Sequence, residues 1–363
     1  MATAQIEFTE SDLLAGHEIA EPLVMGGVRC HGGFDDEGRY VSPRARWRVP
    51  AIEAWQHHHR AVYGTEIIDV PLDTWPAHYP NTAQARFLIG AGVPEPLMAT
   101  LTRIGTVEGL GANIRHLNPG DLQSHFSEDI RGTATAHLGR GLFEAHGRDE
   151  AGWEEEAGHK DMWFAARDIA FEGRTADVDV EAMLQRMGFG SAGGGTAPAT
   201  ERVLPADIDA NLELVASLMA RVLLIEIQAF HTFAWAEQWL GDSDLVAGDG
   251  TAATIVGYIR ADETPHVGYL RTALSEMRDR RWVGASGRRY PGTEMIGAVW
   301  ARALDQSLGA GRAVNRKAAL GEVEHWCSMR PDGAALVEQF HSLADPDGRS
   351  ASDASHAGHA DPG

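Results

Sequence analysis

Residues 222–233 read Val-Leu-Leu-Ile-Glu-Ile-Gln-Ala-Phe-His-Thr-Phe and place one carboxylate, Glu226, inside an apolar run. Such a carboxylate is costly unless it is paired, protonated or bound to metal. The run belongs to the strongest helical pattern of the chain, residues 207–240, where Met219, Val222, Leu223, Phe230 and Phe233 share its face. Turn residues at 241–244 and 248–250 bound a loop, and residues 251–281 read as the next helix. In that helix Glu263-Thr-Pro-His266 forms an E-x-x-H motif on a face with Val256, Ile259, Val267, Leu270 and Leu274. Residues three apart point the same way on a helix, so the motif aims a carboxylate and an imidazole together. Glu226 lies 15 residues before Gly241 and Glu263 lies 13 after Gly250. At about 1.5 Å per residue, both sit about 20 Å from the tip of an antiparallel hairpin. The two carboxylates are therefore level and face packed apolar surface. Pro265 removes a backbone donor, leaves the Ala261 carbonyl without its helical partner and predicts a kink. Its other reading is the start of a new helix capped by Thr264.

Upstream, Glu156-Ala-Gly-His159 repeats the E-x-x-H pattern, on a face with Trp163, Ala166 and Ala170. The region 121–172 reads as helical, either broken near 147–149 or bent at its glycines. A break there makes His146-Gly147 a helix end and Asp149-Glu150 a fresh acidic first turn. Residues 94–117 read as a further helix, with Glu108 the only charge on a face of Leu101, Ile104, Gly105, Gly111 and Ala112. Either Glu108 or Glu144 completes the ligand set, Glu144 if the chain reverses at 147–149, which would bring His137 near as well. Glu128 is a weaker third choice on a polar face. Asp262 is a bridging ligand or an acceptor for a ligand histidine. Two E-x-x-H motifs and a Glu from each of two other helices form the ligand set of dinuclear carboxylate four-helix bundles, and hard carboxylates with imidazole suit Fe or Mn. Against this stand plainer readings: Glu154–Glu156 as a solvated acidic turn, and Glu226 as an ion pair with Arg221 or Arg260.

Around this core, residues 1–92 mix β-like pieces and turns, among them Phe34-Asp-Asp-Glu-Gly38, with Pro50 able to open a helix over 51–62. Residues 93–283 form the expected metal-binding bundle, with a glycine-rich crossover at 188–198. Residues 284–343 carry extra helices at 291–309, 313–328 and 332–343, and 344–363 read as a disordered tail. The expected fold class is mainly α. The chain carries 52 acidic and 31 basic residues, a net charge of −21, which repels nucleic acid and anionic membranes. Two cysteines, Cys30 and Cys327, give no disulfide framework, the start has no secretory pattern, and no apolar run is long enough to span a bilayer; a cytoplasmic location is expected. His57-His58-His59 point in different directions on a helix and read as a solvated run. No zinc-type cysteine pair, phosphate loop or nucleophile elbow is present.

Glu156-x-x-His159, Glu226 and Glu263-x-x-His266, with Glu108 or Glu144, resemble the ligand pattern of ferritin-like non-haem di-iron carboxylate proteins over residues 94–282. Asp262-x-x-x-His266 with Glu156-x-x-His159 and Glu226 is also similar to haem-oxygenase-like di-iron oxidases. Either resemblance implies two Fe ions (or Mn), with dioxygen as co-substrate. Glu156 and Glu263 would bridge, His159 and His266 would hold one metal each, and Glu226 and the first-helix Glu would be terminal. The implied activity is an O2-dependent oxidase or oxygenase acting on a small organic molecule by hydroxylation, desaturation, N-oxygenation or C–C cleavage, with an external electron donor. The other classes are a ferroxidase or iron-storage subunit and a metal-free helical interaction protein. Residues 1–92 are expected as a lid or a homodimer contact.

Overall fold

In a computed structural model, residues 6–16, 24–30, 32–186 and 202–344 are described. The glycine-rich crossover and the tail beyond 344 lie outside them. The protein is mainly α-helical. The short helix α1 (Glu10–Leu13) and the longer α2 (Ala45–Tyr63) flank two small hairpins, Val24–Met25 with Val28–Arg29 and Gly33–Phe34 with Tyr40–Val41. Pro50 lies inside α2 and does not open it. Then come α3 (Thr82–Gly90), α4 (Glu95–Gly111), α5 (Ala134–His137), α6 (Phe143–Ala151), α7 (His159–Ala170) and α8 (Val180–Arg186). The long helices α9 (Ala210–Leu240) and α10 (Thr251–Arg278) follow. A hairpin, Arg281–Val283 with Arg289–Pro291, leads to α11 (Gly292–Leu308), α12 (Ala310–Ser328) and α13 (Gly333–Ser342).

Helices α9 and α10 run antiparallel. Arg260 donates to Glu237 at 2.7 Å, and the α position of Gly241 faces Ala253, so residue numbers fall on one helix as they rise on the other. Asp209 caps α9 by accepting from the Leu212 amide. The region 94–117 forms α4 and one tight turn at 112–116. Helix α4 pairs antiparallel with α7, and glycines make the contact possible: a Cβ on Gly105 would lie 2.9 Å from Trp163, and one on Gly109 3.0 Å from Lys160. Helix α7 also lies against α10.

Helix α10 is unbroken through Pro265, so the reading of Thr264 as a new cap does not hold. The carbonyl that the proline strands is answered from outside the helix: Ser42 Oγ donates to the Ala261 oxygen at 3.1 Å. The N-terminal region thereby repairs the backbone of the motif helix.

The break in the 121–172 region falls later than the sequence suggests. Helix α6 runs through 147–149 and ends at Ala151; the chain then leaves in a hairpin, Gly152–Trp153 with Glu156–Ala157, and returns at His159. Two glycines close this excursion. A Cβ on Gly158 would lie 2.4 Å from the Ala151 carbonyl carbon, and Gly152 takes φ +81°. Glu150 and His159, nine residues apart, are thus neighbours in space. Upstream, Glu276 of α10 accepts from the Ala134 and Thr135 amides at 3.0 and 2.8 Å, anchoring α5 to the long hairpin.

The apolar interior is divided. One cluster takes Leu212–Ile227 of α9 and Tyr269–Met277 of α10. Another takes Ala229–Leu240 and Ala252–Ile259, with Leu97, Leu101 and Trp163. The seam between them falls at Glu226 on one helix and 262–266 on the other.

Candidate metal centre

Two groups of buried donors fill that seam. His146, Glu150, Glu226 and His266 form one; Glu108, Glu150, His159 and Glu263 form the other, with the donor atoms of each group within 4.8 Å of one another. Glu150 belongs to both. Its Oε1 lies 3.7 Å from His146 Nε2 and 3.5 Å from His266 Nδ1, and its Oε2 lies 3.3 Å from His159 Nδ1. Glu263 also spans the pair, with Oε1 3.1 Å from His159 Nδ1 and Oε2 2.7 Å from His266 Nδ1. Glu226 stands 3.4 Å from His146 Nε2, and Glu108 3.5 Å from His159 Nδ1. The His146 and His266 rings stack, centroids 3.8 Å apart and 8° from parallel.

Each histidine turns one nitrogen into the cluster and the other to a fixed partner. His266 Nε2 meets Asp149 at 2.9 Å, His159 Nε2 lies 3.5 Å from Asp262, and His146 Nδ1 meets the Tyr269 hydroxyl at 3.0 Å. Such partners set the tautomer and aim of a ligating imidazole. They are themselves held. Asp149 accepts from Arg44 Nε at 2.7 Å and lies 2.7 Å from the Arg48 guanidinium; Asp262 accepts from the Tyr40 hydroxyl at 2.8 Å.

The charges without metal conflict with their setting. Burial, with Glu263 and Glu150 close by, pushes Glu226 well above the carboxylate range. Burial also raises Glu150, and it lifts Glu108 to about 8, although the His159 hydrogen bond opposes it. Burial resists charge on His266, but Glu263 and Asp149 outweigh it and hold that imidazole up at about 9. Burial and the adjacent His266 push His146 well down. Burial opposes ionisation of Asp149 too, yet Arg48 and Arg44 hold it well below the usual range.

The two donor groups could hold metal ions. His146 Nε2 is buried, faces the cluster and has no hydrogen-bond partner, and Glu150 Oε2 and Glu263 Oε1 both crowd the one His159 Nδ1, at 3.3 and 3.1 Å. Buried polar atoms without a partner are rare in folded proteins. Four carboxylates, Glu108, Glu150, Glu226 and Glu263, balance two doubly charged ions, and three imidazoles add neutral donors.

Of the residues singled out in the sequence, Glu108, His159, Glu226, Glu263 and His266 meet here. Asp262 stands behind His159, outside both groups. Glu156 does not join them. Gly158 precedes the first turn of α7, so Glu156 sits on the hairpin strand and shares no helix face with His159; it lies 3.9 Å from the Arg44 guanidinium. Glu144 faces outward, accepting from Arg148 Nε at 2.7 Å. His137 is engaged by the Thr133 and Phe8 carbonyls, and Glu128 accepts from the Arg281 amide. His59 is buried against Thr65 and Asp279, so that histidine run is not wholly solvated. His146 and Glu150 join the cluster without being among the candidates that the sequence motifs single out. Their H-x-x-x-E spacing on one helix face was the available signal, hidden by reading Gly147 as a helix end.

Beside Glu108 a cavity of about 670 Å³ opens between α4, α9, α12 and residues 77–79. Glu108 lines it and, at 9 % exposure, is the least buried of the seven donors. No helix among the described residues is long and apolar enough to cross a membrane. No protein-family model, curated protein or solved structure matches this chain, so no family is assigned to it.

Proposed function

We propose that this protein is an O2-activating di-iron oxidase or oxygenase acting on a small organic molecule. The observation that carries the reading is the set of seven buried donors, four of them carboxylates, with each histidine anchored from behind. In this reading α4, α6, α7, α9 and α10 act as a helical bundle built around the ions. His146, Glu226 and His266 would hold one ion and Glu108 and His159 the other, with Glu150 and Glu263 placed within reach of both. Iron bound in this way supplies reductive activation of dioxygen, the chemistry that carboxylate-and-imidazole sites support. Manganese fits the same donors.

The chain itself contributes three things. Asp149, Asp262 and Tyr269 fix the imidazoles, so the ions meet preset ligands. The two apolar clusters on either side of the seam exclude water from it. The cavity at Glu108 brings a substrate to the site's least buried edge. That cavity favours an enzyme over a storage subunit, because its walls come from elements outside the metal-holding helices, namely α12 and residues 77–79.

The test is iron content, with the optical spectrum followed as dioxygen is admitted to anaerobically iron-loaded protein. Two irons per chain, oxygen consumption and a transient visible band are expected. Glu226→Ala and His266→Ala should each lower the iron from two per chain to one or fewer while helicity persists. Wild-type iron content in both variants would sink the assignment.

A further inference from the structure

The cavity beside Glu108 carries charges that the metal site does not use. Arg103, Arg312 and Arg316 all line it. Arg103 is already committed: its guanidinium grips Glu322 at 3.2 and 2.8 Å and ties α12 to α4. Arg312 and Arg316 are different. They stand one turn apart on α12, where like charges repel. Arg312 is half-buried and, among the described residues, donates to the Ala77 carbonyl at 3.3 Å, while Arg316 is exposed and lies over the Tyr79 ring at 4.5 Å. Neither has a salt-bridge partner among the described residues. Burial and the neighbouring Arg316 depress the Arg312 pKa, the mark of a cation short of counter-charge. The cavity's remaining acids are Asp177 and Asp179, both exposed, and Asp179 already accepts from the Ala182 amide. The same cavity is also lined by the apolar side chains of Ile104, Val107, Ile225 and Phe233, and by Glu108.

We propose that this cavity selects an organic anion, its carboxylate or phosphate held between Arg312 and Arg316 and its apolar body lying along Ile104, Val107 and Phe233 toward Glu108. An apolar pocket with a few convergent polar groups fixes orientation in this way. The anion meets a paired guanidinium fork, and the far end of its body becomes the part presented to the metal edge. This deepens the oxidase reading and rests on it for the word substrate, but the binding is independent of metal.

Calorimetric titration of metal-free protein with 4-phenylbutyrate, phenyl phosphate and the neutral 4-phenylbutan-1-ol tests it. At least one anion should bind ~10-fold or more tightly than the alcohol, equivalent to about 1.4 kcal/mol. Which anion binds better identifies the headgroup. The Arg312→Gln/Arg316→Gln double variant should lose that preference and keep its alcohol affinity, and Ile104→Trp should block all three. Equal binding of anion and alcohol, or an anion preference that survives the double variant, overturns the proposal. Iron content measured in parallel separates the two ideas. Anion preference without iron leaves the pocket and removes the oxidase; iron without anion preference does the reverse.

Discussion

The two halves of the donor cluster are built in opposite ways. The α9–α10 half is a plain hairpin of long helices, and Glu226, Glu263 and His266 reach the site by helical spacing alone. The other half comes from three shorter helices, with a hairpin excursion between Glu150 and His159 and an irregular turn at 138–142 before His146. Regular backbone transmits side-chain direction over many residues. Irregular backbone needs contacts elsewhere to set it. The second half accordingly depends on glycines at van der Waals limits and on Glu276 reaching across to hold α5.

The sharpest way to break the comparison is at the residue both groups share. Glu150→Ala should eliminate iron from both positions, whereas removing a residue private to one group, as in Glu108→Ala, should leave one iron. Equal stoichiometry in the two variants would mean Glu150 is not shared. Next comes the support behind the irregular half. Asp149→Ala leaves Arg44 and Arg48 buried without their counter-charge, so urea unfolding should show a loss of about 3–5 kcal/mol. A loss below about 1 kcal/mol would show the arginines re-solvate without penalty. Asp262→Asn alters the partner behind His159, which also accepts from Tyr40, and should weaken metal binding roughly 10–100-fold with the fold intact; unchanged affinity would remove Asp262 from that role.

Acidity acts on both halves. Glu226 is raised in one and Glu108, at about 8, in the other, and His266 is held near 9. These groups bind protons in the metal-free protein and must release them to become ligands. Metal affinity should therefore rise as the pH passes about 8 and about 9, with protons released on binding. A flat pH profile contradicts it. The smallest effect expected is from Glu156→Ala, which should keep full iron and change stability by less than about 1 kcal/mol, because its contact with Arg44 is loose, at 3.9 Å. Iron loss there would restore the E-x-x-H reading of the first motif.

Legibility in the sequence followed the same division. The apolar face around Glu226, the level placement of Glu263, the loop between the helices and the lone charge at Glu108 were all readable, because each is a statement about helical period. The break in the 121–172 region was misplaced because Gly147, Gly152 and Gly158 all punctuate it. Nothing local says that the last two meet across a hairpin while the first lies inside a helix against Arg115. That error turned Glu150 outward and Glu156 inward. Pro265 was read correctly as stranding the Ala261 carbonyl, but its partner, Ser42, lies 219 residues away.

By itself the sequence determined a mainly helical protein with carboxylates and imidazoles aimed into an apolar interior, since helix period and burial cost act over a few residues. Only the tertiary structure decided which donors meet, what stands behind each histidine, and that α12 and residues 77–79 close a cavity over Glu108. Those contacts join residues far apart in the chain, and their distances are set by packing.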